Sequence, residues 1–118
     1  QIKGLLEHQF VNIDRPKVLF PSHNFRYAVD LQKEFGQRIS QIRIGEQMIN
    51  MSNLYNVTVN SFLASGGDGF FQLNSAPTVS GGELDIDALS EYLRQKPGVM
   101  VPETNRIQLL WTSKNPNQ

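Results

Sequence analysis

Tyr55-Asn56-Val57-Thr58-Val59-Asn60-Ser61-Phe62-Leu63-Ala64-Ser65-Gly66-Gly67-Asp68-Gly69-Phe70-Phe71 changes character halfway along. Tyr55, Val57 and Val59 alternate with Asn56, Thr58 and Asn60, the period of a strand with one buried face. The alternation then gives way to a turn of three glycines around one carboxylate, closed by two adjacent aromatics. Two readings of the turn stand side by side. It is a tight turn in which glycines take positive φ and Asp68 caps its own backbone. Or it is a ligand loop, where Gly66 and Gly67 let the main chain approach a small molecule and Asp68 accepts hydroxyl protons. A phosphate loop is excluded, because no Lys-Ser/Thr pair follows and no long helix pattern opens after it.

Outward from this stretch, the chain reads as an α+β fold with a mixed, mostly antiparallel sheet and packed helices. Ile2, Leu5, Leu6, Phe10 and Ile13 recur at three- and four-residue steps, predicting an amphipathic helix from residue 2 to about residue 12. Asp14-Arg15-Pro16 ends it. Phe25, Tyr27 and Val29 alternate with polar or small neighbours and predict a strand. Ile39–Ile44 predicts a second, and Gly45-Glu46 turns the chain back into Met48-Ile49. Phe70-Phe71-Gln72-Leu73 reads as a short extended piece, and residues 74–83 as a surface loop. Asp85 suits the N-cap of a second helix with Ile86, Leu89, Tyr92 and Leu93 on its apolar face, stopped by Pro97-Gly98. Ile107, Leu109 and Trp111 predict a last strand, with Thr112 to Gln118 as a frayed tail. Short links between neighbouring strands favour antiparallel pairing.

The 118 residues suit one domain, residues 1–118, with no internal boundary. Eleven basic residues balance eleven acidic ones, which argues against nucleic acid or an anionic membrane surface as a partner. No apolar run approaches the ~18 residues of a membrane span. Absent cysteine excludes disulfides, thiolate metal sites and cysteine nucleophiles. His8 and His23 are the only histidines, and neither has a metal-ligand spacing. His8 reads as part of a solvated helix face, and no serine sits on a nucleophile elbow. Phe20, beside Pro21, and Phe62, six residues before Asp68, are each core residues by default. Facing each other, they would instead form a stacking slot for a planar base.

The run from Tyr55 to Phe70 resembles the signature of the C-terminal domain of the 5′-nucleotidase family, which includes bacterial periplasmic UDP-sugar hydrolases and animal ecto-5′-nucleotidases. Phe62-Leu-Ala-Ser-Gly-Gly-Asp-Gly69 is its specific part. Gln1 to Phe10 is similar to a family helix, Phe25 to Asp30 with Gly36-Gln-Arg38 to a family hairpin, and Asp85 to Gln95 to the helix after the glycine loop. The resemblance implies a substrate-binding domain whose parent is a phosphoric monoester hydrolase, periplasmic or extracellular. An N-terminal metallophosphoesterase domain, absent here, would hold two divalent metal ions. This chain would hold no cofactor and would be inactive alone.

By the same resemblance, a nucleoside or nucleotide is the substrate. Phe62 stacks on the base, and Asp68 holds the ribose hydroxyls beside Gly66 and Gly67. Phe20 is the second ring, with Leu19 as the alternative if the alignment slips by one. Ser22 falls where the family often has Asn or Gln touching the base. The family's first strand is cut short, an edge expected to promote dimerisation or strand exchange. Other readings remain open: a non-catalytic interaction module, or the same domain in a UDP-sugar diphosphatase or a 2′,3′-cyclic phosphodiesterase.

Overall fold

A computed structural model describes residues 1–110 of the chain. Strand β1 (Phe25–Val29) and strand β2 (Ile39–Ile44) pair antiparallel, and β3 (Gln47–Met48) returns on β2 through the Gly45 turn. Strand β4 (Ile107–Leu109) lies parallel to β1, giving the order β3-β2-β1-β4. Two antiparallel ladders and one parallel ladder make the mixed sheet that the short links imply. Trp111 and the tail lie outside the described residues.

Helix α1 (Ile2–His8) packs Leu6, with Phe10 just beyond it, on a core of Tyr27, Val29, Ile39 and Ile42. It is shorter than its apolar repeat suggests. Beyond His8 the chain winds through turns, and Ile13 stays exposed. Glu7, buried, is the strongest tie between α1 and the sheet. One carboxylate oxygen accepts from Ile39 N at 2.8 Å, the other from Gly36 N at 3.0 Å. Charge-assisted bonds of this kind are about twice as strong as neutral ones. Arg38 adds a second tie by donating from Nη1 to the Phe10 carbonyl.

Ile39 and Ile42 are both buried although they stand three apart in a strand. A β-bulge explains it. Arg26 pairs with Arg43 and Ala28 with Ser40, so Tyr27 faces two residues, Gln41 and Ile42. Gln41 takes φ 52°, the left-handed region, and this extra residue resets the phase of the strand.

Three expectations are corrected. Tyr55–Asn60 takes no place in the sheet. Residues 55–59, polar and apolar alike, line a groove beside α1, and Val57 stays exposed, so the alternation marks no buried face. Tyr55 anchors the segment, accepting at its hydroxyl from Asn50 N at 2.8 Å. Phe70–Leu73 is not extended. Helix α3 (Phe71–Asn74) starts directly after fully buried Phe70. Finally, helix α4 (Asp85–Gln95) has Leu84 as its N-cap, one residue before Asp85, whose carboxylate accepts from Ile86 N. No residue of α4 is buried.

Candidate functional site

The glycine turn is built by the residues before it. Asn60, in extended backbone, caps helix α2 (Ser61–Ala64), its side chain accepting from Leu63 N at 2.8 Å. Ser65 closes the helix by donating from Oγ to the carbonyls of Ser61 and Phe62. Gly66 then takes φ 86° and Gly69 φ 81°, with a 3-10 turn between them at Gly67–Gly69. These left-handed values are what only glycine adopts cheaply.

Gly67 is required for a different reason. A Cβ there would stand 2.6 Å from the ring of Phe62 and 2.6 Å from its carbonyl oxygen. The Phe62 ring therefore lies directly against the main chain of the turn, with 57% of the residue still exposed. Spacing along the sequence suggested proximity of Phe62 and the turn, and the structure turns that proximity into contact.

Asp68 sits at the apex with φ 55°, a conformation a non-glycine residue holds at a cost. Its side chain does not cap its own backbone. Lys17 Nζ lies 3.3 Å from Asp68 Oδ1 and 3.3 Å from the Asp68 carbonyl oxygen. His8 Nε2 stands 3.4 Å from the same carbonyl, where the ring can only donate. The His8 ring also meets Phe70 edge-on, with centroids 4.8 Å apart. His8 is thus a packing partner of the turn rather than a solvated helix residue. Among the described residues, Asp68 Oδ2 has no hydrogen-bond partner.

Phe20 and Ser22 are both exposed. They line a groove of about 370 Å³ together with Ile2, Leu5, Leu19 and residues 55–59. Phe20 is 95% exposed, with its ring free of any aromatic partner among the described residues. Leu19, the alternative stacking position, lines the same groove. Ser22 donates from Oγ to Asn24 Oδ1 at 2.7 Å. Phe62, Gly66, Gly67 and Asp68 are not among the lining residues. The structure therefore brings the candidate residues into two groups: Phe62 with the glycine turn, and Phe20 with Ser22 in the groove.

A residue unmarked by sequence joins the two groups. Gln9, 1% exposed, donates from Nε2 to the Leu6 carbonyl and to the Tyr27 hydroxyl, each at 3.0 Å. Its Oε1 accepts from Leu19 N at 2.7 Å, and its carbonyl accepts from Lys17 N at 2.9 Å. Gln9 thus fixes the backbone that carries Lys17 towards Asp68 and the backbone that leads into Phe20. Arg106 holds the far side of that segment, donating to the Pro21 carbonyl at 2.8 Å. Burial raises the Tyr27 phenol above its usual pKa by disfavouring the phenolate, and the hydrogen bond with Gln9 partly opposes this. Neither Gln9 nor Lys17 belongs to a local motif, so only the three-dimensional contacts identify them.

No three His, Cys, Asp or Glu side chains gather into a metal-ligand set among the described residues. These residues therefore offer no ready-made set for a divalent metal pair.

Comparison with known proteins places these features. Residues 1–75, spanning α1 through the glycine turn and α3, match the family described as 5′-nucleotidase, C-terminal domain. The trifunctional nucleotide phosphoesterase protein YfkN of Bacillus subtilis is 27% identical over 110 residues, covering 87% of this chain and 8% of that protein. An apyrase of Anopheles gambiae is 35% identical over 74 residues, covering 58% of this chain and 13% of the relative. A 5′-nucleotidase of Vibrio parahaemolyticus is 31% identical over 67 residues, covering 56% and 12%. The chain thus spans only a small share of each relative's length. A crystal structure of a Staphylococcus aureus protein assigned as a 5′-nucleotidase, in complex with alpha-ketoglutarate, superposes with a TM-score of 0.63. It covers 73% of this chain and 17% of that one, and its 21% identity makes it a likeness of fold. With its α1–hairpin core, its Phe62–Asp68 turn and a family match over most of its length, the chain belongs to the family of 5′-nucleotidase C-terminal domains.

Proposed function

We propose that this chain is the nucleoside-recognition domain of a longer, metal-dependent phosphohydrolase of the 5′-nucleotidase type. The observation that carries the reading is the Asp68 carboxylate. It stands at the apex of the glycine turn with Oδ2 unpartnered among the described residues, next to an exposed ring seated on Gly67. A carboxylate with open lone pairs accepts hydroxyl protons, and adjacent hydroxyls of a ribose offer two. An exposed ring beside it offers a face to a base, and base–aromatic stacking is worth about 1–3 kcal/mol per base. Phe62 takes that role, and a ligand reaching from the turn to the groove would meet Phe20 as the second ring and Ser22 near the base edge.

The bond-breaking chemistry belongs, in this reading, to a further domain that would carry two divalent metal ions, whose Lewis acidity would be available to the phosphoryl group. This chain binds and orients the nucleoside and cleaves nothing alone. A periplasmic or extracellular location of the whole protein is part of the same proposal, checked by fractionating cells that express it.

The test is titration of the 118-residue chain with adenosine, followed through amide resonances. Shifts concentrated at residues 62–70 and 19–22 at millimolar ligand support the reading. A folded sample with no shift at those positions overturns it.

A further inference from the structure

The turn that carries Asp68 is held from outside, by residues 51 and 60 positions away in sequence. We propose that Lys17 is a positioning residue for the sugar-binding carboxylate: its ammonium chelates Asp68 through Oδ1 and the backbone carbonyl, and so presents Oδ2 to the ligand. The proposal rests on the reading of Asp68 given above.

The geometry favours positioning over a chance surface pair on three counts. One ammonium bridges a side-chain oxygen and the main-chain oxygen of the same residue, both at 3.3 Å. That fixes the carboxylate relative to its own backbone, which a single contact would leave free to rotate. The backbone in question is the left-handed Asp68, and its carbonyl faces a second donor, His8 Nε2. The strained peptide is thus clamped on the oxygen that would otherwise move as it relaxed. Lys17 is not on a loose loop either. Its own amide is bonded to the carbonyl of Gln9, whose side chain is locked between Leu6 and Tyr27. Position is therefore transmitted from the core, through Gln9 and Lys17, to Asp68.

An ion pair that merely occluded the carboxylate would have the opposite consequence, and the sign of the effect separates the two. If the ion pair merely occupied the carboxylate, the sugar would have to displace Lys17, and removing the lysine would tighten binding. If Lys17 positions Oδ2, removing it loosens binding, and only while the carboxylate is present.

The experiment measures adenosine affinity for the wild-type chain, Lys17→Met, Asp68→Asn and the double variant. Lys17 and Asp68 are both about half exposed at the side chain, so the fold tolerates the changes, and retained amide dispersion verifies it. Lys17→Met is expected to weaken binding by about fivefold, the upper end for an exposed ion pair. In the Asp68→Asn background the same change should matter by less than about twofold, the margin of additivity. A purely structural lysine would cost the same in both backgrounds, and that result overturns the proposal, as does unchanged or tighter binding in Lys17→Met. Lys17→Arg, which keeps the cation, should stay within about twofold of wild type. If Lys17→Met loses its dispersion, a Lys17→Arg variant that folds yet binds like Asp68→Asn overturns the positioning role. Should Asp68→Asn alone bind adenosine as wild type does, the reading of Asp68 itself fails, a result distinct from a failure at Lys17 only.

Discussion

Gly67 shows how one hydrogen atom in place of a methyl decides what the turn can do. Because the obstacle at 2.6 Å includes the Phe62 carbonyl as well as its ring, a rotamer change cannot relieve it. Gly67→Ala is expected to destabilise the chain by about 1–3 kcal/mol, the usual range for overpacking, and to displace Phe62 from the turn. Chemical denaturation gives the first quantity, and the Phe62 ring resonances report the second. An unchanged midpoint with unmoved ring resonances would contradict the contact. Sequence exposed the glycines and Asp68 because their chemistry is local. It gave no hint of Lys17 or Gln9, whose roles depend on contacts that chain order conceals. The role of His8 escapes the sequence for the same reason: its helix neighbours say nothing of Phe70 and Asp68, which meet it from 62 and 60 positions away.

At the scale of elements, alternation proved readable where a ladder exists and misleading where none does. Phe25–Val29 and Ile39–Ile44 share the period-two pattern with Tyr55–Asn60, yet only the first two pair. A period of two is what a half-buried strand needs, but it does not by itself supply a pairing partner. Likewise Phe70-Phe71 has the aromatic content of a strand, but burial of Phe70 after the left-handed Gly69 starts a short helix. The bulge was invisible because Gln41 carries no glycine signal, although its φ of 52° places it where glycine is usual. Gln41→Val tests this. Valine raises strand propensity, but a β-branched side chain is a genuine outlier in left-handed backbone, and the expected outcome is a loss of about 1 kcal/mol. A stabilised variant would argue for regular pairing at that position.

Across the whole molecule, the well-packed part is the α1–hairpin core, and it is where stability should titrate. The Tyr27 phenol lies within it, its pKa raised by burial. Below about pH 10 the phenol is neutral in folded and unfolded chains alike, and it contributes no slope. As pH rises past that value the unfolded chain ionises first, so stability falls towards the folded-state pKa. Denaturant midpoints at pH 8 and pH 11 should differ more in wild type than in Tyr27→Phe; equal differences would contradict burial of a neutral phenol. The same core fixes Gln9, and through it the Lys17 and Phe20 backbones, so the proposed site is held from the interior outward. The proposed role of Asp68 turns on the sugar. Adenosine and 2′,3′-dideoxyadenosine present the same base to Phe62 and differ only in the hydroxyls offered to Asp68. Calorimetric titration of the chain with both should show the dideoxy compound weaker by about tenfold, the loss of roughly one charge-assisted hydrogen bond. Equal affinities would contradict the assignment of Asp68 as the sugar-binding carboxylate.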